Sequence, residues 1–225
     1  MLSGVYLLIK YFGLAFSALL PVINPLGSAL VFLSLVGNAP ASVYRSLARK
    51  IAITTTLFLI AVELVGTLLL AFFGISLPVM QVSGGLVLAT MGWRLLTQEE
   101  PQPKPQQGEV DETTYAGLQQ QVFYPFTFPV TADPGSVVVM ITLSAHASAK
   151  GVFPNIMAHV GILLAAVVIS VTVLFSYAYA PRITARISPK TVHGIRRVIA
   201  FVLLCIGVQI TWNGVDAMLK TVLKG

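Results

Sequence analysis

Long apolar runs separated by short charged segments dominate the chain. With charged residues taken as boundaries, the pattern predicts six spans, near residues 6–36, 49–73, 78–96, 122–145, 153–179 and 195–219. A helix needs about 20 mainly apolar residues to cross the hydrocarbon core of a bilayer. The pattern therefore predicts an all-α membrane protein with six transmembrane helices.

One polar stretch, residues 98–121, interrupts this pattern between the third and fourth runs. It contains five of the eight acidic residues and three prolines. Such a segment cannot bury the apolar surface that folding requires. We therefore predict two three-helix halves, residues 1–97 and 122–225, joined by a polar linker.

The composition supports a lipid environment. Of the 225 residues, 56% are hydrophobic and only 10% are charged, whereas soluble domains contain about 25% charged residues. The net charge of +6 would suggest nucleic acid as the partner of a soluble protein. Here the basic residues lie between apolar runs, where they orient the chain in the bilayer, so we expect no nucleic-acid binding.

The distribution of lysine and arginine predicts the orientation. Ten of these residues lie on the first, third and fifth loops, and four lie on the opposite side. Because cytoplasmic loops are enriched in them, both termini are predicted outside and the linker is predicted in the cytoplasm.

Two similar segments, residues 21–30 and 129–138, each lie within the first span of a half. Both contain a polar residue followed by proline, glycine and serine: Asn24-Pro25 in the first and Asp133-Pro134 in the second. Three spans per half means that the second half enters the membrane from the opposite side. The sequence therefore predicts two inverted repeats.

Each proline removes a helical hydrogen bond and pushes the preceding residue out of the helical region. Helices 1 and 4 should therefore be broken near mid-membrane, where free backbone groups are tolerated only inside protein or beside a wet cavity. The amides of residues 26–28 and 135–137 would begin new half-helices whose positive ends attract an anion, and Gly27 and Gly135 would let a ligand approach the backbone. The alternative is a pair of simple proline kinks.

Asp133 and Glu63 are acids within apolar runs, where a charge is costly unless it is paired, hydrated or protonated. Asp133 could bind a substrate ammonium, coordinate a cation or carry a coupling proton; alternatively, it caps the following half-helix. Glu63 could be a second proton or cation site, or it could hydrogen-bond another helix in its protonated form.

The sequence gives little indication of a metal site or of a catalytic site. His146, His159 and His193 show no spacing typical of a metal site, and no catalytic motif is present, so we expect neither a metal cofactor nor an enzyme. Gln209 in the last span could line a polar path or hydrogen-bond a neighbouring helix. The candidate substrate-binding residues are Asn24, Pro25, Gly27, Ser28, Thr131, Asp133, Pro134, Gly135, Ser136 and Gln209.

An ordered set of motifs covers essentially the whole chain. They are Ile23 to Gly27, Gly74 to Pro78 followed by Ser83 to Gly85, Phe128-Pro129 with Pro134-Gly135, and Gly207 to Gln209 with Asn213-Gly214. In this set the chain resembles the MarC family of bacterial and archaeal inner-membrane proteins. One position departs from the family pattern, because Asp133 stands where the relatives usually have glycine.

The resemblance implies a six-helix protein of the lysine exporter superfamily in a prokaryotic inner membrane. It also implies transport of small neutral amino acids such as alanine or glycine, coupled to Na⁺ or H⁺, with the substrate near Pro25 and Pro134. Asp133 could favour a cationic substrate or replace a Na⁺ site with a proton site. The alternatives are a passive channel or permease for another small solute, and a membrane protein without transport activity, such as an enzyme or assembly factor. The sequence leaves open whether the protein forms a homo-oligomer.

Overall fold

The computed structural model describes residues 2–97, 112–147, 151–186 and 189–223. Within these ranges the chain forms nine α-helices: α1 (Leu2–Ile23), α2 (Pro25–Val36), α3 (Ala41–Phe72), α4 (Leu77–Thr97), α5 (Glu112–Gln120), α6 (Pro134–His146), α7 (Val152–Ala178), α8 (Ala180–Arg186) and α9 (Pro189–Leu223). Residues 122–131 form a wider, irregular helical turn, which we call the 122–131 segment.

The all-α class is confirmed. Five helical stretches are long and apolar enough to cross a membrane: Gly4–Val36, Ala41–Phe72, Leu77–Thr97, Val152–Ala178 and Arg197–Leu223. The 122–131 segment and α6 pass the same test together, although they meet at 69°. The described residues therefore contain five candidate spans, or six when this bent pair is counted as one.

The second span begins earlier than the apolar pattern predicts. Helix α3 begins at Ala41, not at residue 49. Its first turns bury Tyr44, Leu47 and Ala48 but leave Arg45 and Arg49 exposed. Because these buried positions recur at helical spacing, a boundary set by charged residues misses the amphipathic start of the helix.

The polar linker is also partly folded, contrary to expectation. Its last residues form α5, in which Leu118 is buried, and Lys50 Nζ donates to Gln119 Oε1 at 2.5 Å. One buried apolar side chain and one hydrogen bond to α3 thus accompany the short helix. The prediction for residues 98–111 lies outside the described residues.

Three helix pairs pack most extensively against each other: α4 with α9, α1 with α7, and α3 with α7. Glycines bring α4 and α9 very close. A Cβ added at Gly85 would lie 2.7 Å from the Gly207 carbonyl oxygen, and one added at Gly207 would lie 2.7 Å from the Gly85 carbonyl oxygen. The backbones of the two helices are therefore in direct contact.

Candidate functional site

The first interruption in the chain is a single residue, Asn24, between α1 and α2. Its φ of 46° and ψ of 66° lie in the left-handed region, which asparagine tolerates better than most residues. The Asn24 Oδ1 atom accepts a hydrogen bond from the Gly27 amide at 3.0 Å. Ser28 Oγ donates to the Asn24 carbonyl at 2.9 Å. Asn24 is therefore the N-cap of α2, and Pro25 occupies the first helical position, which needs no amide donor.

The second interruption repeats this arrangement with a carboxylate. Asp133 is extended, with φ of −86° and ψ of 173°, and Pro134 begins α6. Asp133 Oδ1 accepts from the Ser136 amide at 2.8 Å, and Ser136 Oγ donates to the Asp133 carbonyl at 2.7 Å. Asp133 is only 7% exposed. It is thus a buried cap, as the capping interpretation expects, and this geometry is compatible with a binding role as well.

Four of the six amides that the sequence suggests for ligand binding are already bonded. The Gly27 and Ser136 amides donate to the capping side chains. The Ser28 and Val137 amides donate to the carbonyls of Asn24 and Asp133. In this conformation these four amides are not available as donors to a ligand.

The two glycines face protein rather than open space. A Cβ added at Gly27 would lie 2.7 Å from Asn24 Cγ. One added at Gly135 would lie 3.0 Å from Leu88 Cγ of α4 and 3.2 Å from Asp133 Oδ1. Gly27 therefore leaves room for the Asn24 side chain to cap α2, and Gly135 leaves room for α4 beside the second break. The space through which a ligand was expected to approach is filled by protein side chains in this conformation.

Tyr177 of α7 joins the two breaks. Its hydroxyl lies 2.8 Å from Thr131 Oγ1, and the Ser28 side chain is its second polar neighbour. The Thr131 and Ser28 hydroxyls bond the carbonyls of Phe126 and Asn24 as well. A tyrosine hydroxyl has one proton, so Tyr177 can donate to only one of its two neighbours, which belong to different halves of the chain.

No local pattern in the sequence singles out Tyr177. It lies near the predicted end of the fifth span, where a tyrosine is typical of the membrane interface. In the structure it is completely buried, and its partner Thr131 is 46 positions away. Only the tertiary fold shows that it lies beside both breaks.

An aromatic cluster, Phe32, Tyr44, Phe126 and Tyr177, packs next to the breaks. Phe32 stacks on Tyr177 with ring centroids 4.5 Å apart, and it meets Phe126 and Tyr44 edge-on at 5.4 and 5.8 Å. All four side chains are buried. The cluster fills the space between α2, α3, α7 and the 122–131 segment.

Glu63 lies away from the breaks and has a partner that the sequence did not indicate. Its Oε1 atom is 2.5 Å from His159 Nδ1 of α7, and Ser144 Oγ of α6 donates to the Glu63 carbonyl at 3.0 Å. Ser144 is about 16 Å along α6 from Asp133, at 1.5 Å per residue. The described residues contain no group of three or more His, Cys, Asp or Glu side chains that could hold a metal ion.

Gln209 also lies apart from the breaks. It is exposed on α9, and its Nε2 donates to Asn213 Oδ1 at 2.8 Å. Gly207 faces α4, and two residues correspond to about 200° around a helix. Gln209 therefore points away from α4, and its role in substrate binding stays a prediction that this arrangement does not favour.

Comparison with known proteins gives consistent matches over nearly the whole chain. Residues 9–219 match the MarC family of integral membrane proteins. The inner membrane protein MarC of Citrobacter koseri is 30% identical over 220 residues, which cover 95% of this chain and 98% of the relative. Its namesake in Salmonella typhimurium is 30% identical over 222 residues, and that of Escherichia coli strain UTI89 is 27% identical over 219 residues. No solved structure matches the chain.

Proposed function

The chain belongs to the MarC family of integral membrane proteins, and from this premise we propose that it is a secondary transporter of small neutral amino acids such as alanine or glycine. Transport occurs by alternating access and is coupled to H⁺ or Na⁺. The relatives are named as inner membrane proteins, without a substrate. The support for transport and for the substrate class must therefore come from the chemistry of this chain.

The observation that carries the proposal is that Tyr177 lies beside both breaks. Asn24 and Asp133 cap α2 and α6, and the Tyr177 hydroxyl has one polar neighbour at each break, Ser28 and Thr131. The positive end of a half-helix favours a carboxylate, while the Asp133 carboxylate or the Asn24 amide can receive an ammonium. An amino acid carries both groups, and the tight packing around Gly27 and Gly135 favours a small side chain.

The contact between α4 and α9 supports inverted repeats. The residues of this contact correspond between the two helices at a constant separation of 122 positions. Gly85 corresponds to Gly207, Gly92 to Gly214, and Val82 to Leu204. The contacts are reciprocal, because Gly92 faces Leu204 on α9 while Gly214 faces Val82 on α4. A two-fold axis between two antiparallel helices produces this exchange, as in transporters with inverted topology.

The remaining helix packing follows the same exchange. Helix α1 of the first half packs against α7, the second span of the other half. Correspondingly, α3 packs against α6 and the 122–131 segment, which form the first span of the second half. Each half thus packs around the first span of the other half, an arrangement suited to rocking of one half against the other around the two breaks.

With both termini outside, α2 and the 122–131 segment lie on the cytoplasmic side of the breaks. The aromatic cluster, which includes Tyr177, then closes the cytoplasmic path. Because Tyr177 and Thr131 belong to the same half, opening towards the cytoplasm requires the Tyr177 hydroxyl to separate from Ser28 in the other half. The buried hydroxyl is therefore a latch in this scheme.

Replacing Tyr177 with phenylalanine tests the latch. The ring still stacks on Phe32, but the polar contact of the hydroxyl with Ser28 is lost, at a cost to the closed state of about 1 kcal/mol, or roughly fivefold in population. We expect a cysteine at position 132, in a Cys205→Ser background, to react roughly fivefold faster with an impermeant thiol reagent from the cytoplasmic side.

Tyr44→Phe is the matched control for this experiment. The Tyr44 hydroxyl belongs to the same cluster but donates to the Gly37 carbonyl at 2.5 Å, within the first half. Its removal should leave the labelling rate unchanged. Equal rates in the wild type and in Tyr177→Phe would contradict the latch.

Ligand binding is tested with the purified protein. Alanine or glycine should raise the melting temperature, because a ligand that binds the native state stabilises it, whereas arginine and tryptophan should not. Repeating the screen with and without Na⁺, at two pH values, identifies the coupling ion. Failure of both small amino acids to shift the melting temperature under any condition would count against the substrate class.

A further inference from the structure

We propose that Glu63 and His159 form a proton-carrying pair, separate from the two breaks, which makes H⁺ the coupling ion. The use of this pair in transport rests on the proposed function. Proton binding by the pair can be tested without any transport measurement.

Glu63 and His159 bring two ionisable side chains together within predicted membrane spans. The Glu63 side chain is completely buried, whereas the His159 side chain is 29% exposed. His159 Nδ1 contacts Glu63 Oε1, and Glu63 Oε2 is buried without a hydrogen-bond partner among the described residues. An acid within a span, paired with an ionisable side chain, is typical of a proton path.

The binding step adds one proton and breaks no bond. In the unloaded pair, the neutral imidazole donates its Nδ1 hydrogen to the Glu63 carboxylate, and the pair has a charge of about −1. A proton from the aqueous phase adds to His159 Nε2, the ring nitrogen not engaged by Glu63. The imidazolium stays bonded to the carboxylate, and the pair becomes neutral. Imidazole nitrogen suits a proton, whereas hard cations prefer oxygen ligands.

The pair is positioned to act on the second break through α6. Ser144 of α6 bonds the Glu63 carbonyl, and a Cβ added at Gly66 of α3 would lie 2.5 Å from Ile141 of α6. These contacts fix α6 to α3 beside the pair. The other end of α6 carries Asp133. Loss of the pair's charge therefore alters the environment of a helix that begins at the substrate site.

The ionisable groups on the surrounding helices are engaged elsewhere. The His146 ring, at the end of α6, bonds a carbonyl of its own helix. On α1, the Tyr11 hydroxyl donates to the His146 carbonyl, and Lys10 lies over the Tyr11 ring. Lys50, the last basic residue of α3, is about 20 Å from Glu63 along the helix. These groups therefore take no part in the contact between Glu63 and His159.

Transport by Glu63→Gln tests the coupling role. Glutamine keeps the size of the side chain but cannot hold the charge. In proteoliposomes we expect alanine exchange without a gradient to persist, while accumulation driven by a pH gradient falls at least about tenfold. His146→Gln is the matched histidine control and should retain both activities. Loss of exchange together with accumulation, or accumulation driven by Na⁺ in place of a pH gradient, would overturn the coupling role.

Nitrogen-15 NMR of labelled histidine tests proton binding independently of transport. The chain has three histidines, and single variants assign their signals. In the wild type, the Nδ1 signal of His159 should report its hydrogen bond to Glu63, and adding acid should place a second proton on Nε2. Glu63→Gln should change both His159 signals and leave those of His146 unchanged. A His159 ring that gains no proton at Nε2, or whose signals ignore Glu63→Gln, would overturn the pair. If the wild type exchanges no amino acid although His159 behaves as expected, the transport proposal and the coupling role fail while the proton site stands.

Discussion

Asp133→Asn is expected to leave the protein as stable as the wild type while abolishing its stabilisation by alanine and glycine. Asn24 caps α2 with an amide oxygen in the same position relative to the helix as the Asp133 carboxylate takes on α6. Asparagine at position 133 can therefore keep the cap and lose only the charge. Because asparagine and aspartate are equally good N-caps, the variant separates binding from folding.

Asp133→Ala is the companion variant. It removes both the charge and the cap, so its free energy of unfolding should also fall by about 1 kcal/mol. Both variants are measured by thermal unfolding in detergent, with and without alanine. If Asp133→Asn responds to alanine as the wild type does, Asp133 is only a helix cap and the substrate ammonium binds elsewhere.

Gly207→Ala is expected to destabilise the protein strongly, although alanine is the better helix former. The added Cβ would collide with the Ala89 backbone nitrogen and lie 2.7 Å from the Gly85 carbonyl oxygen. Since backbone atoms cannot rotate away as a side chain does, α4 and α9 must separate. We expect a loss of about 3 kcal/mol, the upper part of the usual range for overpacking.

Two further substitutions make this result specific. Gly85→Ala should cost a similar amount, because the contact is reciprocal. Gly13→Ala is the control, since a Cβ there has nothing within 4 Å, and it should be neutral or stabilise α1 by up to about 1 kcal/mol. Unfolding in a denaturing detergent measures all three. Equal behaviour of the variants at positions 207 and 13 would contradict the close contact between α4 and α9.

Local physical rules predicted the helical class, the candidate spans and the cap-forming residues. Apolar runs identify a membrane helix because the bilayer demands a continuous apolar stretch. Proline and the polar residue before it, at Asn24-Pro25 and Asp133-Pro134, disturb the helix through their own backbone geometry. These features depend on neighbours in the chain, so a single sequence contains them.

Features that depend on distant residues were missed. The partner of Glu63 is 96 positions away in the chain, and nothing near His159 indicates it. Tyr177 likewise becomes important only when two breaks from different halves meet beside it. Gln209 is a different case, because its role in the site stays a prediction while the helix turns its side chain away from α4. Side-chain direction follows from which face of α9 packs on α4, and small residues such as Gly207 are the signal for that face.

The breaks at Asn24 and Asp133 are proposed to form a substrate site that opens alternately to the two sides of the membrane. Counterflow of labelled alanine into proteoliposomes loaded with unlabelled alanine is the decisive measurement. We expect a saturable, transient accumulation of label in the wild type and none in Asp133→Asn. A flux that rises linearly with alanine concentration, as through a channel, or the absence of any counterflow would contradict it.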